Sequence, residues 1–139
     1  MTENDITNLL DFLNLLLESE RAGVKVLGEL LYQTEDERLR KFLKKFLRDE
    51  GMNCHILVNL IHDLGATPSD KTGAFVEKVQ ALNTVDEKVE LLIRGQAWVA
   101  RKIREYRHLL PEGSQDLFLE AIKVQHDENV LALQSCLSE

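Results

Sequence analysis

The chain has 139 residues, of which 44% are hydrophobic and 29% charged, and a net charge of −7 at neutral pH. That length buries a core without disulfide or metal staples and fits one domain spanning 1–139. The acidic balance argues against a nucleic-acid partner, and no apolar run nears the ~20 residues that cross a bilayer.

The opening stretch, MTENDITNLL, is acidic and polar, which is not the pattern of a signal peptide. Thr2-x-x-Asp5 has the form of a capping box, in which hydroxyl and carboxylate satisfy exposed backbone N–H groups reciprocally. It predicts a first helix over about 3–33. Thr34-x-x-Glu37 has the same form and predicts a second helix over 35–64, with Gly65 just past its end and Pro68 beyond. A crossover of 65–83 follows, in which Phe75, Val76, Val79 and Leu82 recur at helical spacing and predict a short amphipathic helix. Thr84-x-x-Glu87 opens a third long helix to about 109, which Pro111 and Gly113 end. Ser114 is the expected N-cap of a fourth, running to about 137. Nothing reads as a strand. Short first–second and third–fourth connections predict an all-α four-helix bundle, two antiparallel helical hairpins joined by a long crossover containing a short helix.

Steps of three and four along each helix give its inward face. On the first, Ile6, Leu10, Leu13, Leu17, Val24, Leu27 and Leu31 are interrupted by Glu20. On the second, Leu39, Leu43, Phe46, Leu57, Leu60 and Leu64 are interrupted by Glu50 and Asn53. Gln96 breaks the run Val85, Val89, Leu92, Val99, Ile103, Tyr106 and Leu110. His126 and Asn129 break the run Leu119, Ile122, Leu133 and Cys136. Every interruption falls near mid-helix, so Glu20, Glu50, Asn53, Gln96, His126 and Asn129 are expected to share one polar layer.

At these positions the chain resembles the di-iron carboxylate proteins of the ferritin-like class, such as rubrerythrins and bacterioferritins. Their four helices carry Glu, then Glu-x-x-His, then Glu, then Glu-x-x-His. Here the matching residues are Glu20, then Glu50-x-x-Asn53, then Gln96, then His126-x-x-Asn129. The segments LLLESERAG, RDEGMNCHIL, PSDKTGAF and RGQAWVARKIRE are also similar to a family of small bacterial ferritin-like proteins without an assigned function. That resemblance covers nearly the whole chain and implies a ferritin-like bundle but no named reaction.

The departures from the family pattern bear on chemistry. Four carboxylates and two imidazoles have become two carboxylates, one imidazole and amides, which are neutral and weakly donating ligands. The expectation is therefore a degenerate site without a di-iron centre or other cofactor. The six groups would form a closed hydrogen-bonded core in a structural or interaction bundle, with His126 able to carry a proton against Glu20 and Glu50. The alternative is one Fe, Mn or Zn ion held by Glu20, Glu50 and His126, in a metal-binding protein or metal-dependent oxidoreductase. No catalytic residue is assigned.

The remaining candidates read as ordinary. His55 projects roughly 200° from Asn53 at ~100° per residue. His62 lies about 10 Å further along the helix, at 1.5 Å per residue. His108 suits a helix C-terminus. Cys54 and Cys136 show no CxxC spacing and read as small buried thiols of a reducing, cytoplasmic setting. Glu18 reads as surface charge, and Gly23 and Gly28 as sites of close helix approach. Apolar residues outside the main stripes (Leu91, Gly95 and Trp98, with Phe12, Leu16, Gly23 and Leu30) call for cover by the crossover or by a second copy. A homodimer with Trp98 at its interface is the expectation; no small-molecule ligand is named.

Overall fold

In a computed structural model that describes residues 2–110 and 113–137, the helices are α1 Glu3–Gln33, α2 Glu37–Asp63, α3 Phe75–Gln80, α4 Val85–Tyr106 and α5 Ser114–Gln134. A 3₁₀ turn, Arg107–Leu109, extends α4. Strands are absent among the described residues, and none of the helices there is long and apolar enough to cross a membrane.

The start signals resolve unevenly. Thr2 and Asp5 form the reciprocal capping box, and the Thr84 hydroxyl accepts the Glu87 N–H. Thr34, by contrast, is the C-cap of α1, its N–H bonded to the Leu30 carbonyl at 2.9 Å. It cannot also open α2, whose N-cap is Asp36, with a carboxylate that accepts the Leu39 N–H at 2.8 Å. Asp36→Ala is therefore expected to cost about 1 kcal/mol, the usual worth of an N-cap, as read from urea unfolding. Similarly, the position before α5 is Gly113, at φ +139°, with Ser114 already inside the helix. Gly65 ends α2 at φ +81°, a left-handed conformation that glycine takes without strain. Pro111 lies outside the described residues.

The polar layer divides the core into two apolar halves. Leu9, Leu13, Leu17, Leu57, Ile61, Val99, Ile103, Leu119 and Ile122 fill one. Val26, Leu27, Leu30, Leu39, Leu43, Phe46, Val89, Leu92 and Leu133 fill the other. Residue order along these halves fixes direction: α1 and α5 run one way, α2 and α4 the other. The two hairpins are thus antiparallel, and the crossover must return along the length of the bundle to start α4 beside α1, at the end where α2 starts. It does so over α1. The Arg21 guanidinium donates to the Ser69 carbonyl, the Ser69 N–H donates to Asn14 Oδ1 at 2.7 Å, and Gln80 donates to Glu29 at 2.8 Å. Val76 and Val79 of α3 join the core.

Since α1 packs against α2, α4 and the crossover, its buried face is broader than one stripe. Leu9, Phe12, Leu16, Val26 and Leu30 are buried, whereas Ile6 is exposed and Leu10, Val24 and Leu31 are half-buried. On α2 the stripe ends on Ile61 rather than Leu60, and on α4 Ala100 is buried while Tyr106 is exposed. The Arg107 guanidinium closes the α4–α5 hairpin on Asp116 and Glu120.

Candidate polar centre

Glu20 on α1, Glu50 and Asn53 on α2, Gln96 on α4, and His126 and Asn129 on α5 are all 4% exposed or less, between the two apolar halves. In such surroundings each polar atom needs a partner, because stripping one of water without replacing its hydrogen bond costs several kcal/mol. Partners are found: no described buried side-chain nitrogen or oxygen lacks one.

His126 organises the layer. Its Nδ1 lies 2.8 Å from the Ile122 carbonyl, and its Nε2 lies 3.1 Å from Glu20 Oε1 and 3.3 Å from Oε2. A carbonyl and a carboxylate can only accept, so both ring nitrogens donate and the ring is an imidazolium. Burial opposes that charge, but the Glu20 carboxylate and the Ile122 carbonyl outweigh it and raise the His126 pKa above its ordinary value. Burial likewise opposes the Glu20 charge. There the His126 charge and the hydrogen bonds from His126, Glu50 and Asn53 prevail, holding Glu20 below the usual carboxylate range.

Glu50 behaves oppositely. Burial first, and then the neighbouring Glu20 charge, push it well above the ordinary glutamate value. It is a neutral acid that donates to Glu20 while Gln96 Nε2 approaches both of its oxygens at 3.4 Å. Asn53 Nδ2 donates to Glu20 Oε1 at 3.1 Å, and Asn129 Nδ2 donates to Gln96 Oε1 at 3.1 Å. The layer therefore holds one anion, one cation and a net charge of zero.

One member carries no signal in the apolar periodicity. Gln125, half-buried beside His126, accepts from Asn53 Nδ2 at 2.8 Å. Only its place one residue before His126, on the side of α5 that meets α2, could have pointed to it. Gly23 packs against the layer: a Cβ there would overlap Glu50 Oε1 and stand 3.1 Å from its Cδ. Gly28 is not such a contact, since a Cβ at that position would meet nothing within 4 Å.

His55, His62 and His108 are exposed and apart from the layer. Cys54, half-buried, has its thiol pushed up to about 12 by burial first and then by the Glu20 charge, which makes it a poor nucleophile. Trp98 is half-buried on the outer side of α4, with the Lys102 ammonium 5.8 Å from its ring centroid. The neighbouring Gly95 is covered by the crossover, whose Phe75 ring occupies the space a Cβ would take.

Donor atoms of Glu20, Glu50 and His126 lie within 4.8 Å of one another, close enough to converge on one ion. For two bridged metals the set does not fit. Two carboxylates cannot balance two divalent ions, and Asn53 and Gln96 aim N–H groups at the carboxylate lone pairs that would be needed.

Two hairpins, one long crossover and a polar layer at mid-height define a ferritin-like bundle. Its fold is shared with a crystal structure of ferritin-like, diiron-carboxylate proteins from Bacillus anthracis, at TM-score 0.68 and 17% identity, covering 97% of this chain and 93% of that one. The chain belongs to the family described as a domain of unknown function, DUF6306, which matches residues 7–135. No curated protein of similar sequence is found.

Proposed function

We propose that this ferritin-like protein works without a di-iron centre, as a structural or interaction bundle whose ligand layer is closed by protons and amide hydrogen bonds. One observation carries the reading. The amides of Asn53 and Gln96 and the imidazolium of His126 spend their N–H groups on the carboxyls a metal would have to capture. Protons and amides thus occupy the coordination positions, and the layer is neutral without an ion.

Glu50→Gln tests this directly, because glutamine keeps the shape of the neutral acid, donating to Glu20 and accepting from Gln96. The variant is expected to fold, with stability within about 1 kcal/mol of the parent near pH 5. Glu50 is protonated in the fold but ionises in the unfolded chain above about 4.5, so folding takes up a proton and stability falls as pH rises from there. His126 adds a second loss. Its contribution is complete below its ordinary value of 6.5 and disappears as pH rises through its raised folded value. Glu50→Gln removes the first slope, so the variant should be the more stable chain above pH 7 in urea titrations. Elemental analysis of protein purified without chelator should return well under one Fe, Mn or Zn per chain. Stoichiometric metal that Glu50→Gln abolishes would overturn the reading.

That outcome would favour the second reading, a metal-binding protein or oxidoreductase with one Fe, Mn or Zn ion on Glu20, Glu50 and His126. The proximity of their donor atoms is its support. The ion would supply Lewis-acid or redox chemistry, and binding would require Glu50 and His126 to release their protons.

A further inference from the structure

A cavity of about 350 Å³ lies between α1, α4 and the crossover and reaches inward to the polar layer. Leu15 and Ala22 of α1, Leu92, Trp98 and Val99 of α4, and Phe75 of α3 make its walls. Gly23 and Gly95 open it. Without a Cβ at 23, the Glu50 carboxyl sits against α1 and borders the cavity; without one at 95, the Phe75 ring lies on α4 as part of its wall. Glu50 and Gln96 form the inner end. They are 1% and 3% exposed, so their polar atoms there meet the cavity rather than bulk water.

That end has unused hydrogen-bonding capacity. Gln96 Oε1 is taken by Asn129 at 3.1 Å, but its amide N–H₂ reaches only the Glu50 oxygens, both at a long 3.4 Å. Both contacts are at the long limit for an N–H donor, so the Gln96 amide and the Glu50 oxygens stand side by side as a weakly used donor next to an acceptor. A hydroxyl group matches such a pair by accepting from one and donating to the other. Charge matches poorly: the walls are apolar, and the lining's Lys78 and Glu18 offset one another.

We propose that this cavity is a binding site for a small, flat, uncharged molecule of the phenol or aromatic-alcohol class. Its hydroxyl sits on Gln96 and Glu50, and its ring lies between Trp98, Phe75 and Leu92. The volume is roughly twice that of a ~150 Å³ apolar cavity that takes benzene, which sizes the ring system as bicyclic. This goes beyond the proposed function, since the cavity and the Gln96 amide are present whichever reading of the layer holds. Assaying the protein for metal before titration lets the two ideas fail separately.

The probe is 2-naphthol, with naphthalene as the ring without the hydroxyl. Trp98 is the only tryptophan, so its indole N–H is a single NMR reporter at the wall, and the Gln96 side-chain amide reports on the inner end. Expected are saturable shifts of both signals by 2-naphthol and affinity at least about tenfold above that for naphthalene, the worth of one buried hydrogen bond. In Gln96→Leu the preference should shrink to about threefold or less. Should that variant fail to fold, the wild-type titration decides alone. Equal affinity for the two probes, or 2-naphthol titration that leaves the Trp98 indole unmoved, would overturn the proposal.

Discussion

Replacing His126 by alanine is expected to lower stability by about 3–5 kcal/mol, the usual cost of removing one partner from a buried ion pair. The imidazolium is fully buried, donates to Glu20 at 3.1 Å and is held by the Ile122 carbonyl at 2.8 Å. Without it, Glu20 is left as a buried carboxylate beside the Glu50 acid, with Asn53 as its remaining side-chain amide donor. It must then take up a proton or draw water into the core. The penalty should be greatest at mildly acid pH, where Glu20 is ionised and His126 protonated. It should shrink as pH rises through the folded His126 pKa, because the wild type then loses the imidazolium as well. Urea titrations between pH 5 and 9 read both the size and this slope. A double-mutant cycle with Glu20→Gln should be strongly non-additive, since the second change removes the charge the first leaves stranded. A loss below about 1 kcal/mol for His126→Ala would mean that no ion pair holds the layer.

The second large effect concerns a single methyl group. Gly23→Ala is expected to destabilise by about 1–3 kcal/mol, although alanine is by about 1 kcal/mol the better helix former. The added Cβ would overlap Glu50 Oε1, and moving that carboxyl aside breaks its contacts with Glu20 and Gln96. Gly28→Ala is the internal control. It sits on the same helix with nothing within 4 Å of the new Cβ, so propensity alone should act and stability should rise by up to about 1 kcal/mol. Shortening the acid with Glu50→Asp should relieve much of the Gly23→Ala penalty. Thermal or urea unfolding of the four variants would check this. Equal responses at Gly23 and Gly28 would show that Glu50 does not rest against α1.

The helices themselves were legible along the chain, because a hydroxyl or carboxylate before an apolar stripe and a glycine after it act within a few residues. The exceptions are instructive. Thr34 looks like the N-cap of α2, but one residue cannot close α1 and open α2 together, and Asp36 takes the second task. The local motif was the same at Thr84, where no preceding helix competed. Similarly, α1 reads as one stripe when it is taken alone. Its true face is wider because α2, α4 and the crossover all pack on it, and no periodicity within α1 reveals how many neighbours it has.

By itself the sequence determined an all-α chain of two hairpins with a long crossover, and the heights at which Glu20, Glu50, Asn53, Gln96, His126 and Asn129 interrupt the apolar stripes. Both follow from the 3.6-residue repeat and from short-range capping. Only the tertiary structure decided where the protons sit, since Glu50 is held neutral first by burial and then by the Glu20 carboxylate that α1 brings beside it, while His126 from α5 keeps Glu20 ionised. It also decided that Gln125 joins the layer and that a cavity ends on Gln96. Those features belong to the space between helices, which is set when α1, α4 and the crossover pack together.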